Sequence, residues 1–196
     1  MRGRGKTLIL SPMNALPKPM TLDDFVAWEE RQELAYEFDG FTVRAMTGGT
    51  VAHSTIQSNL IVALGTALRG KHCRVHGSHL KVRTASSVRY PDAMIVCAPA
   101  DPKSTLAPDP TVIFEILSPS SARIDLGAKN VEYQTLPSLR RYIVLHQSRA
   151  AAEVFRRDEA GEWTFEFIDG AGVLEMPEAD IAVPLAAFYE GLALTA

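Results

Sequence analysis

Three stretches decide the fold of this chain: RYPDAMIVCAP at 89–99, TVIFEILSPSS at 111–121 and RIDLGAKNVEYQTL at 123–136. The first two read as apolar strands separated by a Pro-rich loop, APADPKSTLAPDP at 98–110. The third reads as a helix over 124–135, and Arg140–His146 follows as another short apolar strand. The strand at 111–117, the helix and the strand at 140–146 make a crossover unit, which predicts parallel strands joined right-handedly. Each of the first two strands carries one carboxylate, Asp92 at the start of one and Glu115 inside the other. A carboxylate in an apolar run costs free energy unless a metal, a proton or a cation neutralises it. Alternation places Glu115 on one face with Thr111, Ile113 and Leu117, and turns Val112, Phe114 and Ile116 to the other. On the helix, Asp125, Lys129 and Tyr133 (or Glu132) share a stripe.

Outward from this centre, residues 1–19 hold Arg2, Arg4, Lys6 and three prolines without periodicity, and read as a flexible basic tail. Thr21 and Asp24 form a T-x-x-D capping pattern, so a helix should begin near Leu22. Asp39-Gly40 predicts a hairpin with Tyr36, Phe38, Phe41 and Val43 on one face. Glu37 then lies on the other face, as a surface partner of Arg44 or as a cleft carboxylate. A long helix is expected over 50–69, with Ile56, Leu60 and Leu64 in its apolar stripe and Gly70 as its stop. His53 and Gln57 lie four apart on it, either structural or facing a cleft. Residues 73–84 read as one extended segment with a bulge after Gly77, antiparallel to a strand at 91–97. Lys81, Arg83 and Arg89 could line a basic groove or face solvent. His72, Cys73, His76 and His79 match no closed zinc spacing. Glu153–Arg157 and Trp163–Phe167 form a second hairpin, residues 170–182 read as irregular, and Pro184–Leu192 as a short helix.

The ordered set resembles the PD-(D/E)XK nuclease superfamily. It comprises YEFDG at 36–40, His53 with Gln57, Pro91-Asp92, FEILSPSS at 114–121, Asp125 with Lys129 and Tyr133, and LPSLRRYIVLH at 136–146. More narrowly, the chain from Met20 to about Leu194 resembles a bacterial family of proposed restriction endonucleases once described as a domain of unknown function. The resemblance implies an α/β (α+β) fold with a restriction-endonuclease-like αβββαβ core and a mixed sheet in a single domain over 20–196, with added hairpins at both ends. It implies Asp92, Glu115 and the Ile116 carbonyl as ligands of Mg2+ or Mn2+. Leu117 stands where the superfamily motif has lysine, and Lys129 is implied as its replacement. Glu37, His53, Gln57 and Asp125 are implied at the cleft or just behind it.

The chemistry follows. Phosphodiester hydrolysis needs a metal, an activated water and a cation for the developing charge. Asp92 and Glu115 offer hard oxygen ligands, and Lys129 offers the cation. The expected activity is a metal-dependent DNA endonuclease. The alternative is a catalytically silent nuclease-fold module that binds nucleic acid or protein. A serine hydrolase built on Ser118 and His146 lacks the G-x-S-x-G elbow. A length of 196 residues suits one domain, and 46% hydrophobic with 22% charged residues is ordinary for a globular one. The net charge of −3 argues against a basic nucleic-acid coat. Two cysteines without a CxxC pair suggest a reducing, cytoplasmic compartment. No run approaches the length of a membrane span. Enzymes that cut both strands often dimerise, so a homodimer is compatible.

Overall fold

The structure is a computed structural model that describes residues 20–46, 48–118 and 124–194. The basic tail and the turn residues Pro119, Ser120 and Ser121 lie outside the described residues. In chain order the elements are α1 (Leu22–Glu29), β1 (Tyr36–Phe38), β2 (Val43–Ala45), α2 (Val51–Ala67), β3 (Arg74–Gly77), β4 (Val82–Arg83), β5 (Val88–Arg89), β6 (Ala93–Val96) and β7 (Pro110–Ile116). A π-helical turn, Ile124–Lys129, then runs into α3 (Asn130–Gln134). After it come β8 (Arg141–Leu145), β9 (Ala151–Arg157), β10 (Trp163–Asp169), β11 (Val173–Met176) and β12 (Ile181–Pro184), with 3-10 turns at Pro177–Ala179 and Leu185–Tyr189.

The described strands make a six-stranded sheet in the order β10-β9-β8-β7-β6-β3, a four-stranded sheet β2-β1-β5-β4 and the pair β11-β12. Within the large sheet β7 and β8 are parallel and every other pair is antiparallel. Alternation along β7 sorts its side chains onto two cores. Val112, Phe114 and Ile116 pack with Ile56, Leu60 and Leu64 of α2. Ile113 and Leu117 pack with Tyr133 of α3 and Tyr142 of β8. Each large apolar side chain buried this way contributes about 1.5–3 kcal/mol. Both cores therefore fix which face Glu115 occupies: the one beneath the crossover helix.

Local chemistry sets the ends of the elements. Thr21 and Asp24 form a reciprocal capping box at α1. Thr50 caps α2 by accepting from the His53 N–H, and Gly70 adopts a positive φ of 76° just beyond its end. The first hairpin differs from the expected one. Asp39 Oδ1 accepts from the N–H groups of Phe41 (3.0 Å) and Thr42 (2.7 Å), so the turn spans 39–42. Phe41 belongs to that turn and is 96% exposed, so it does not share the Tyr36–Phe38–Val43 face.

The strand expected over 73–84 is split between the sheets, breaking after Gly77 into β3 and β4. The strand expected over 91–97 is β6, and the short strand β5 precedes it across a break at Pro91. Pro91 has no N–H for the ladder, which accounts for the second break. The chain thus crosses from one sheet to the other just before Asp92. Residues 170–182, expected to be irregular, hold most of the β11–β12 hairpin, which runs from Val173 to Pro184. The expected basic groove is absent: Lys81 is buried against Glu29 (2.7 Å), Arg83 pairs with Asp23 on the surface (2.6 Å), and Arg89 is buried against Glu132 (2.8 Å). No described helix is long and apolar enough to cross a membrane.

Candidate active site

A cleft of about 640 Å³ opens at the seam between the two larger sheets. Its lining includes Glu37, Thr50, His53, Asp92, Glu115, Ile116, Ser118, Asp125 and Lys129. Register explains how the carboxylates meet. Ala93 pairs with Phe114, so one step further Asp92 stands opposite Glu115 on the same face. In the smaller sheet Phe38 pairs with Val88, which sets Glu37 opposite Arg89. Glu37 therefore enters from one sheet, and Asp92 and Glu115 from the other.

Asp92 is half-buried, and one of its oxygens is fixed from two sides. Oδ2 accepts the Ile116 N–H at 2.7 Å and lies 3.3 Å from His53 Nε2. The imidazole is pushed above its ordinary pKa by its hydrogen bond to Asp92, against partial burial that acts the other way. Gln57, one turn further along α2, donates to the Asp92 carbonyl (3.0 Å) and to Ser78 Oγ (3.1 Å). It holds the backbone that aims Asp92 and does not line the cleft itself.

Glu115 is buried, with Oε1 receiving Lys129 Nζ and Tyr133 Oη, both at 2.9 Å. Burial drives its pKa well above the usual carboxylate range; Lys129 pulls it down, while Asp125, Asp92 and Glu37 push it up. Lys129 Nζ also lies 3.3 Å from Glu37 Oε1 and 3.3 Å from Asp125 Oδ1. Burial works against its charge, but Glu115, Glu37 and Asp125 outweigh it and hold the ammonium protonated. The π-helical turn gives this geometry: its wider winding brings Asp125 and Lys129 together on the buried side, where both face β7. The expected pairing of Glu37 with Arg44 does not form, because Arg44 turns to Asp39 (3.2 Å).

A further set of polar residues supports these, and the sequence reading had not assembled it. Arg89 grips Glu132 through Nε and Nη2, both at 2.8 Å, and reaches Glu37 at 3.3 Å. Ser87 Oγ donates to Glu132 at 2.7 Å, and the Tyr90 N–H donates to Glu37 at 3.2 Å. Tyr142 Oη donates to the Asp125 carbonyl at 2.9 Å. A buried arginine facing two glutamates from different elements locks α3, β1 and β5 into one unit. The available signal was Glu132, which shares the Lys129–Tyr133 side of the helix.

The described cleft carboxylates Glu37, Asp92, Glu115 and Asp125 face Lys129 and His53 as nearby cationic partners, with Arg89 already engaged by Glu132. Such an excess of hard oxygen donors suits a divalent cation. Ile116 buries its side chain in the core on the α2 side, so what it offers the cleft is backbone.

Sheet, crossover helix and cleft make up a restriction-endonuclease-like α+β fold. The chain belongs to the Uma2 family, described as "Putative restriction endonuclease", whose model matches residues 22–186. Among curated proteins it is similar to two uncharacterized proteins of Synechocystis sp. The first, slr1290, is 29% identical over 186 residues, covering 93% of this chain and 97% of the relative. The second, sll1609, is 25% identical over 156 residues, covering 76% and 87%. Among solved structures it resembles a crystal structure described as a putative nuclease belonging to DUF820 from Anabaena variabilis. That match has a TM-score of 0.73 at 16% identity and covers 87% of this chain and 98% of the other. At that identity the likeness shows the fold.

Proposed function

We propose that the protein is a metal-dependent endonuclease that hydrolyses DNA phosphodiester bonds. The observation that carries this reading is the convergence of Asp92, Glu115 and Lys129, from a strand start, a neighbouring strand and the crossover helix, on one cleft. Family membership supports a nuclease-type role for that cleft. Asp92, Glu115 and the Ile116 carbonyl would hold Mg2+ or Mn2+, with Glu37 and Asp125 adding negative charge around it. When bound, the ion supplies Lewis-acid polarisation of a phosphate oxygen and a more acidic water.

The chain's own groups do the rest. Ile116 N–H and His53 hold Asp92 Oδ2, which fixes the carboxylate at the cleft wall. Tyr133 and Lys129 together orient Glu115. Lys129 stays protonated, so its role is electrostatic: it offsets negative charge developing on the phosphate and orients a water, and does not abstract a proton. With Leu117 buried in the core beneath the crossover helix, no cation comes from that position of β7, and Lys129 fills the need from the adjacent element.

The test is cleavage of plasmid and linear DNA by the wild type and by Asp92→Asn, purified identically, with Mg2+, with Mn2+ and with chelator. Cutting by the wild type with metal only, lost in the variant, supports the proposal. A wild type that binds metal and DNA yet cuts nothing would favour a silent nuclease-fold binding module.

A further inference from the structure

Away from the cleft, the other end of β6 carries a second group of ligating side chains. Arg74 pairs with Val96 across β3 and β6, so one step outward Cys73 stands opposite Cys97. Their Cα atoms are 4.0 Å apart and the two are joined as a disulfide. The sequence did not foretell this pairing, since the absence of a CxxC pair had suggested a reducing compartment. The neighbouring strand thereby brings a sulfur beside the histidine-rich segment, whose own spacing matches no closed zinc pattern. His72 Nε2 lies 3.4 Å from Cys73 Sγ. The ligand atoms of His72, Cys73 and Cys97 all fall within 4.8 Å of one another. Around a tetrahedral zinc, with Zn–S about 2.3 Å and Zn–N about 2.0–2.1 Å, sulfur and nitrogen ligands stand about 3.5 Å apart. The His72–Cys73 separation already meets that spacing.

We propose that His72, Cys73 and Cys97 form a site for a thiolate-preferring d10 cation, Zn2+ or Cu+, that exists only when the Cys73–Cys97 disulfide is reduced. Strand register brings the two sulfurs together in either redox state. Cys73 is buried, Cys97 is half-buried and His72 is exposed, so the site opens to solvent on the side where a fourth ligand, a water, can complete a zinc shell. A low-molecular-weight thiol reductant cleaves the S–S bond. It is itself oxidised to its disulfide, and two protein thiols remain. Zn2+ then binds both sulfurs and the neutral His72 Nε2, and each thiol releases one proton. An oxidised low-molecular-weight disulfide reverses the sequence, reforms the Cys73–Cys97 bond and expels the ion. Asp92 lies five residues from Cys97 along β6, about 16 Å at the rise of a strand, so the site is separate from the cleft. Nothing in the argument depends on the nuclease reading.

The experiment uses the full chain, freed of metal and either reduced or oxidised, titrated with Zn2+ against a chromophoric competitor. A parallel arm uses Cu+, and Co2+ reports thiolate ligation spectroscopically. The variants are His72→Ala and Cys97→Ser. Cys73 is avoided because it packs in the core, and thermal melts check that each variant folds. The expected result is one ion per reduced chain, a thiolate-to-cobalt charge-transfer band, and no binding to the oxidised chain. Loss of groups that merely support ligands weakens sites 10–100-fold, so losing His72 itself should weaken binding by at least about tenfold. Equal binding by the two redox states, unchanged affinity in His72→Ala, or no binding of either ion to the reduced chain would each overturn the proposal.

Discussion

Replacing Lys129 by Met removes the cation that Glu37, Glu115 and Asp125 share at 2.9–3.3 Å, and leaves the surrounding apolar contacts largely in place. Deleting one partner of a buried ion pair costs about 3–5 kcal/mol, because the remaining charge is stranded. Here the stranded group can take up a proton. Burial already lifts Glu115 above the usual carboxylate range, and the Lys129 ammonium beside it holds it down. Without Lys129 the folded-state pKa of Glu115 rises further. A group whose folded pKa is raised stabilises the fold below its unfolded pKa, about 4.3, and loses that stabilisation as pH rises through the folded value. The variant should therefore be nearly as stable as wild type at about pH 5 and weaker by about 3 kcal/mol at about pH 8.5. In a domain of this size, that is a drop in Tm of roughly 6–12 °C. Urea and thermal unfolding of metal-free protein at both pH values measure it. A penalty of equal size at the two pH values, or none at the higher one, would refute the picture of Lys129 as counter-ion to a proton-accepting Glu115.

His53 carries a pH dependence of its own. Its pKa is raised by Asp92, so the stabilisation is present in full below about pH 6.5 and is lost as pH climbs through the folded value. His53→Asn should therefore destabilise the metal-free protein at about pH 6 and have little effect at about pH 9, as measured by urea unfolding. Tyr133→Phe removes one hydrogen bond to Glu115 and keeps the ring contact with Tyr142, whose centroid lies 5.2 Å away. It should cost about 1 kcal/mol, lower cleavage through looser positioning of Glu115, and leave DNA binding unchanged in a filter assay. Glu132→Gln strands part of the buried Arg89 charge. The penalty should exceed that of Tyr133→Phe, about 2–3 kcal/mol, and appear in equilibrium unfolding.

The centre of the fold was legible because each signal there was local. Alternation in TVIFEIL assigned the two faces of β7, and the crossover rule assigned the parallel neighbour β8. The capping box at Thr21 and the Gly70 stop were equally local. What the sequence hid was the exchange of strands between sheets. Whether 73–84 remains one strand depends on tertiary pairing: the bulge expected after Gly77 marked the place of the break but not the change of sheet. The burial of Lys81 and Arg89 was hidden for the same reason, since their partners, Glu29 at the end of α1 and Glu132 in α3, come from helices distant in the chain. Asp92, Glu115, Glu37, His53, Asp125 and Lys129 do come together. The clamp of Arg89 on Glu132 was missed, as was the Cys73–Cys97 pairing, because both join residues far apart in the chain whose spacing carries no pattern.

The most direct measurement is the anomalous diffraction of crystals soaked in Mn2+. The account predicts one strong peak in the cleft, within about 2.0–2.6 Å of oxygens from Asp92, Glu115 and the Ile116 carbonyl, with the Lys129 ammonium displaced from its central position but still beside Glu115. It is contradicted if the peak falls outside this cleft, or if a crystallised protein that cleaves DNA in Mn2+ holds no ion between Asp92 and Glu115.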